Sequence, residues 1–353
     1  MQKTITVLPG DGVGPEVTNE AVKVIETIAK KFNHTFSYKN GLIGAIAIDK
    51  TGNPLPQETI DICLKSDAIL FGAIGDPKYD NDPTLKIRPE QGLLKLRKTL
   101  GLFANVRPIS VFKSMISKSP LKPEIVNGVD FVVIRELIGG IYFGKHGRKD
   151  NGKEAFDICS YTEAEISRVV KYAFELALKR KKKLTVVDKA NVLETSRLWR
   201  ETVQKMMSNY PSIEINFMFV DNASMQIIKR PTDFDVIVTE NMFGDILTDE
   251  ASVITGSIGM LPSASIGMKS SLYEPIHGSF PKAAGKNIAN PIGAILSAAM
   301  MFEFSFQLFK EAKIIRQAVE KVLEKGYGTK DIMSENPVST SEMGDLIVKD
   351  IIS

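Results

Sequence analysis

Asp235-Val-Ile-Val-Thr-Glu-Asn-Met-Phe-Gly-Asp-Ile-Leu-Thr-Asp249 reads as a short buried strand that turns straight into a helix. The stretch Asp235–Val238, with its branched apolar Val-Ile-Val, has strand length and composition, and helical pattern follows it. In a helix, Asp245 and Asp249 stand at i and i+4 and project from one face, where like charges are unfavourable unless a cation sits between them. The strand-then-helix order recurs along the chain. Ile5–Leu8 leads through a Gly/Pro turn into an amphipathic helix from about Pro15 to Phe32. Ala68–Phe71, Val129–Ile134, Thr185–Val187 and Ile213–Val220 read as further strands, and Ile141–Phe143 as the start of a hairpin arm. Helical pattern opens at Pro89 and covers Thr162–Arg180, with Glu163 and Glu165 in its first turn; Ala294–Phe309 and Lys313–Glu324 read as closing helices. This alternation predicts an α/β protein with a largely parallel sheet.

Composition narrows the function classes. With 353 residues the chain has room for two domains or one large α/β unit. A net charge of +3 gives no push toward nucleic acid, and the basic run Lys179–Lys183 reads as a solvated helix end. Cys63 and Cys159 make no disulfide framework and are expected as small buried filler. His34, His146 and His277 are scattered, which argues against zinc. The chain enters its first strand with no signal-peptide pattern and holds no uninterrupted apolar run of membrane-spanning length, so a cytoplasmic setting without membrane partners is expected.

Several segments carry chemistry. Asp221 follows the strand Ile215–Val220, and three carboxylates (Asp221, Asp245, Asp249) without histidine suit Mg²⁺ or Mn²⁺. The alternative for the pair is the ordinary enrichment of acids near helix starts. Gly10-Asp-Gly-Val-Gly14-Pro15 is a glycine-rich strand-to-helix turn that either approaches a phosphate or is only a tight turn; it is not GxGxxG. Arg97, Arg107 and Arg135 offer planar forks for a small polycarboxylate, or form surface ion pairs. Lys189 stands just past a strand, placed as a base or as a partner of Asp188 or Glu194. Tyr142 lies between glycines in Gly139–Gly144, accessible as a proton donor or held in the core. Glu274–Asn290 reads as a Gly/Pro/Asn-rich loop between helices, able to cradle an adenosine.

In this order the segments VLPGDGVGPEV, LRKTLGLFANVRP, RELIGGIYFG, VDKANVLETSRLWRE, ENMFGDILTDEAS, EPIHGS and GKNIANP resemble the decarboxylating isocitrate/isopropylmalate dehydrogenase family over nearly the whole chain. The resemblance implies two α/β domains that are not the classical Rossmann fold: 1–102 plus 256–353 on the cofactor side, and 103–255 with the dimer interface and metal carboxylates. It implies Lys189 and Tyr142 as catalytic groups and Arg97, Arg107, Arg135 and Asp221 around the substrate. Asp221, Asp245 and Asp249 would hold Mg²⁺ or Mn²⁺. Glu90, His277, Gly278, Ser279, Ala283 and Asn290 would meet the nicotinamide dinucleotide. A homodimer with shared sites follows, Lys189 and Asp221 reaching across.

Leu93 and Leu94 on the helix face before Arg97, with Val192 after Lys189, make an apolar wall. Such a wall suits an isopropyl group and opposes an unpaired carboxylate. The expected reaction is therefore oxidation and decarboxylation of (2R,3S)-3-isopropylmalate to 2-oxo-4-methylpentanoate, a step of leucine synthesis. Relatives acting on D-malate, tartrate or homoisocitrate share the catalytic residues and stay open as alternatives. A non-catalytic regulatory subunit would have lost some of them, and none is lost. One departure concerns the cofactor. NAD-using relatives carry an Asp for the ribose where this chain has Lys282. NADP-using isocitrate enzymes grip the 2′-phosphate from four positions, matched here by Lys282, Ala283, Lys330 and Ser334. Only Lys282 fits, so NAD is expected over NADP.

Overall fold

The computed structural model describes residues 1–81, 84–333 and 335–353; Ser334 lies outside them. Twelve strands are described: β1 (Gln2–Gly10), β2 (Thr35–Asn40), β3 (Ala68–Ala73), β4 (Ala104–Ser110), β5 (Asp130–Glu136), β6 (His146–Lys149), β7 (Glu154–Asp157), β8 (Lys183–Asp188), β9 (Glu214–Phe219), β10 (Val236–Thr239), β11 (Pro262–Ile266) and β12 (Leu272–Pro275). The helices are α1 (Gly14–Phe32), α2 (Ala45–Thr51), α3 (Gln57–Lys65), α4 (Pro77–Asp80), α5 (Pro89–Leu100), α6 (Pro123–Val126), α7 (Glu163–Leu178), α8 (Glu194–Met207), α9 (Val220–Lys229), α10 (Asn241–Ser252), α11 (Ile292–Phe304), α12 (Phe309–Glu324) and α13 (Thr340–Ile352). No described helix is long and apolar enough to cross a membrane.

The chain divides into two compact units. The first comprises Met1–Leu102, Phe112–Lys118 and Thr255–Ser353. Its strands lie in the order β2-β1-β3-β12-β11, parallel except where β12 meets β11. Helix α11 runs against β11, β12, α1 and α12. Its residues Ile292–Phe302 are all buried, so it shows no polar face. Pro15 opens α1, and Asn33 closes it in the left-handed conformation. Residues 112–118 and Thr255 fall in this unit, not in the expected central block 103–255; the short 3-10 turn Lys113–Lys118 packs on α12.

The second unit comprises Phe103–Val111 and Ser119–Ile254. Its strands run β4-β5-β10-β8-β9, parallel apart from the β4–β5 pair. Both units thus hold an antiparallel junction in sheets that the alternation made largely parallel. Thr162 and Glu165 close a reciprocal capping box at the start of α7. The basic run after α7 is more than a solvated end: Arg180 bonds Asp235 and Asp130, each at 2.8 Å.

Other local expectations are corrected. Ile141–Phe143 is not a hairpin arm; Gly140–Tyr142 is a 3-10 turn, and the hairpin is β6–β7. Gly140 has φ +71°, and a Cβ there would lie 2.3 Å from the Tyr161 hydroxyl, so the chain must turn where the arm was expected. The helix expected to reach Phe309 stops at Phe304, and α12 starts at Phe309 after Gln307 takes a left-handed φ of 57°. Glu274 and Pro275 end strand β12, so the following loop is not flanked by two helices. Cys63 is buried as expected, whereas Cys159 is only half-buried.

Candidate active site

In the second unit, β8 and β9 run side by side, with Asp188 opposite Phe219. The turn after β8 presents Lys189, and the first turn of α9 presents Asp221. Lys189 Nζ bonds the Asp221 carboxylate, which that bond holds below its ordinary range. Lys189 pairs with neither acid offered as a structural partner. Asp188 accepts both arms of Arg200 at 2.8 and 2.9 Å, and Glu194 takes Arg197. Asp188 is buried, and the Arg200 guanidinium lies 5.1 and 5.3 Å from the Phe217 and Phe219 ring centres. Asp188 also accepts from the Ala190 amide, and Ser196 Oγ from the Lys189 amide. The backbone under Lys189 is therefore fixed while its side chain stays near the surface.

A second cluster forms where α10 covers β4 and β5. Asn105 is directly opposite Arg135 across the strand pair, and Arg107 lies two residues on, so all three share a sheet face. Residues 241, 244, 245 and 248 of α10 stand at i, i+3, i+4 and i+7 and turn one face to these arginines. Arg135 donates Nε to Asn241 Oδ1 at 2.9 Å and Nη1 to Asp245. Arg107 donates Nε to Asn105 Oδ1 at 2.6 Å, bonds Thr248 Oγ1, and comes within 3.5 Å of Asp249 and 3.7 Å of Asp245. A Cβ on Gly244 would lie 2.7 Å from the Arg135 stem, so only glycine admits this approach. The like-charged Asp245 and Asp249 are thus bridged by guanidinium.

Tyr142 joins the cluster, donating its hydroxyl to Asp245 Oδ2 at 2.9 Å with the Arg135 guanidinium 5.6 Å from its ring centre. The ring is 38% exposed, so it is not a core tyrosine. Burial of the hydroxyl, then the Asp245 charge, pushes its phenol up to about 12. Behind the cluster, Glu136 is fully buried and accepts from the Ile138 and Gly139 amides at 3.0 and 2.9 Å. Desolvation pushes its carboxyl up to about 7. Between the ordinary carboxyl range and pH 7 the folded chain holds a proton that the unfolded chain has released, so stability falls as pH rises through that window. Glu136→Gln is expected to flatten this fall, an effect of order 3 kcal/mol, in melting curves taken from pH 5 to pH 8. An unchanged slope would show that Glu136 ionises normally.

Among the described residues, no three or more His, Cys, Asp or Glu side chains stand close enough to hold a metal ion. The expected triad separates into Asp245 with Asp249, and Asp221 with Lys189. Val192, expected on the apolar wall, is 58% exposed in the turn after Lys189.

In the first unit, α5 carries Glu90, Leu93, Leu94 and Arg97; Leu93 and Arg97 are buried, Leu94 half-buried and Glu90 exposed. Arg97 Nη2 bonds Glu274 of β12 at 2.9 Å, and its buried Nε has no hydrogen-bond partner among the described residues. The Gly10–Gly14 turn is structural. Asp11 accepts from the Ala45, Ile46 and Gly75 amides at 2.8–2.9 Å, which fills the N-terminus of α2 with a carboxylate. A Cβ on Gly12 would lie 1.9 Å from the Ser279 carbonyl, and the Val13 amide donates to that oxygen at 2.8 Å. The turn thereby supports the 277–279 loop. Positions around Gly75 bring Glu90 Oε1 and Ser279 Oγ to one place.

A cavity of about 690 Å³ opens beside this loop, lined by Val13, His277, Phe280, Asn290, Lys330 and Asp331 among others. That volume is in the range of cofactor sites. His277 Nε2 is shielded and has no hydrogen-bond partner among the described residues, and burial keeps the imidazole below its usual range, hence neutral at pH 7. An orphaned ring nitrogen on such a cavity fits a heterocycle with hydrogen-bonding edges. Asn290 is committed to structure on both sides of its amide. Oδ1 accepts from the Ile292 amide at the start of α11, and Nδ2 donates to Asp331 at 3.0 Å. Ala283 is fully buried, Gly278 exposed, and Lys282 exposed.

Sequence reasoning missed Asn105, Asn241 and Thr248. The signal was present for the α10 pair, since Asn241, Gly244, Asp245 and Thr248 keep helical register; Asn105 follows only from the β4–β5 pairing.

The model of the family described as isocitrate/isopropylmalate dehydrogenase matches residues 4–347. The 3-isopropylmalate dehydrogenase of Aquifex aeolicus is 55% identical over 98% of this chain and 96% of its own length. That of Bacteroides fragilis is 54% identical over 99% and 98%. Among solved structures, isocitrate dehydrogenase from Methylococcus capsulatus superposes with a TM-score of 0.90 at 34% identity, covering 99% of this chain and all of the other.

Proposed function

The chain belongs to the isocitrate/isopropylmalate dehydrogenase family, and from that premise we infer that it oxidises and decarboxylates (2R,3S)-3-isopropylmalate to 2-oxo-4-methylpentanoate in leucine biosynthesis. The observation that carries the mechanism is the meeting of Arg107, Arg135, Tyr142 and Asp245 on one face of β4 and β5.

Arg107 and Arg135 pair with the carboxylates of the malate backbone. Lys189, as the neutral amine, accepts the proton of the C2 hydroxyl on Nζ. Tyr142 returns a proton from its hydroxyl to the carbon that has lost its carboxylate. A phenol pushed up to about 12 remains protonated at neutral pH, as a donor must. When bound, a divalent cation would supply Lewis acidity for the substrate oxygens, and a nicotinamide nucleotide would supply the hydride acceptor. Asp245 and Asp249 fit Mg²⁺ or Mn²⁺ as an all-oxygen pair, with Asp221 as third ligand. Since Asp221 stands with Lys189 rather than with that pair, the reading includes a homodimer in which Lys189 and Asp221 of one subunit complete the site of the other.

The His277 cavity suits the adenosine end of the nucleotide. Of the four positions that would grip a 2′-phosphate only Lys282 matches, and Ala283 is buried and apolar, so NAD is preferred to NADP. The cytoplasm is the setting proposed. Product analysis tests the reading: 3-isopropylmalate with NAD and Mg²⁺ is expected to give NADH, CO₂ and 2-oxo-4-methylpentanoate in equal amounts. NADH without CO₂, or faster turnover with NADP, would contradict it.

A further inference from the structure

We propose that Asn105 and Asn241 are positioning residues for substrate recognition. Each holds the Nε edge of one site arginine with an uncharged acceptor, fixing the guanidinium's angle while leaving its charge to act on a substrate carboxylate. The proposal rests on the reading that Arg107 and Arg135 bind the substrate.

Two unrelated elements supply the same contact. Asn105 of β4 accepts from Arg107 Nε at 2.6 Å, and Asn241, the first residue of α10, accepts from Arg135 Nε at 2.9 Å. Both asparagines are fully buried, and the arginines are 7% and 3% exposed. The Asn241 amide has one sensible orientation, because Nδ2 donates to the Gly139 carbonyl at 3.0 Å; a flip would set donor against donor. Its backbone amide donates to Tyr161 Oη at 3.0 Å, which fixes the helix start as well.

The neutrality of the acceptors matters. With Nε anchored, the Nη1 atoms turn toward Asp245, Thr248 and Asp249, the side of the site carboxylates. Once those carboxylates hold a cation, their charge is drawn to it, and the amides remain as fixed acceptors. A carboxylate in place of either amide keeps the size and the acceptor but neutralises the arginine from behind. The guanidinium then attracts a substrate carboxylate less.

The test uses Asn105→Asp and Asn241→Asp in the full-length enzyme with NAD and Mg²⁺. KM for 3-isopropylmalate is expected to rise about tenfold to a hundredfold, the size of a charged hydrogen bond. KM for NAD should change little. Arg107→Lys and Arg135→Lys are run beside them. If the lysine variants raise the substrate KM and neither aspartate variant does, the proposal fails while the substrate reading stands. If the lysine variants also leave KM unchanged, the substrate reading fails. Loss of the fold in both aspartate variants makes the amides structural and overturns the proposal too.

Discussion

Lys189→Ala is expected to keep fold and NAD binding while kcat falls by about 10²–10⁴, the usual cost of losing a general base. The lysine side chain contributes little to packing, and its turn is held by Asp188, Arg200 and Ser196 rather than by Nζ. Tyr142→Phe should also lower kcat, but at the protonation that follows loss of CO₂. Its ring is partly exposed and keeps its place beside Arg135 without the hydroxyl. The two variants together probe the shared site. After subunit exchange, a heterodimer has one site combining wild-type Tyr142 with the other chain's wild-type Lys189, and one site with both defects. In an equal mixture, where about half of the dimers are heterodimers, activity is expected to return toward about a quarter of wild type. Exchange shown by mass-tagged chains with no return of activity would put both groups in one chain's site.

The second large effect concerns the cation. Chelation should abolish turnover, and Mg²⁺ or Mn²⁺ should restore it. Asp245→Asn should weaken metal affinity by more than the roughly 10–100-fold seen when only a supporting residue is lost. NAD affinity should hold, since Asp245 is not among the residues lining the His277 cavity. Normal turnover in chelated enzyme would make these carboxylates mere counter-charges for Arg107 and Arg135.

Much of this was legible in the chain because local rules and global fold agree. Thr162 and Glu165 announce the start of α7, and the branched runs at 68–71 and 236–238 became central strands. What failed has physical causes. Helix α11 is buried all round, so apolarity gave no period to mark its end at Phe304. The turn at Gly140 depends on Tyr161, twenty-one residues later, which no local pattern reveals. Individually, Arg107 and Arg135 looked like any surface arginine. Only the register that sets Asn105 opposite Arg135 makes them one cluster. The separation of Asp221 from Asp245 is likewise invisible to spacing, because it follows from which helix each occupies, α9 after β9 or α10 after β10.

Substrate choice tests the central claim most directly. Steady-state kcat/KM is to be measured for 3-isopropylmalate and for isocitrate, with NAD and Mg²⁺ saturating. The half-buried and buried leucines at 94 and 93 offer no partner for a third carboxylate. Desolvating that charge unpaired costs several kcal/mol. The predicted result is a preference for 3-isopropylmalate of at least about a thousandfold. Comparable kcat/KM for the two acids would contradict the account.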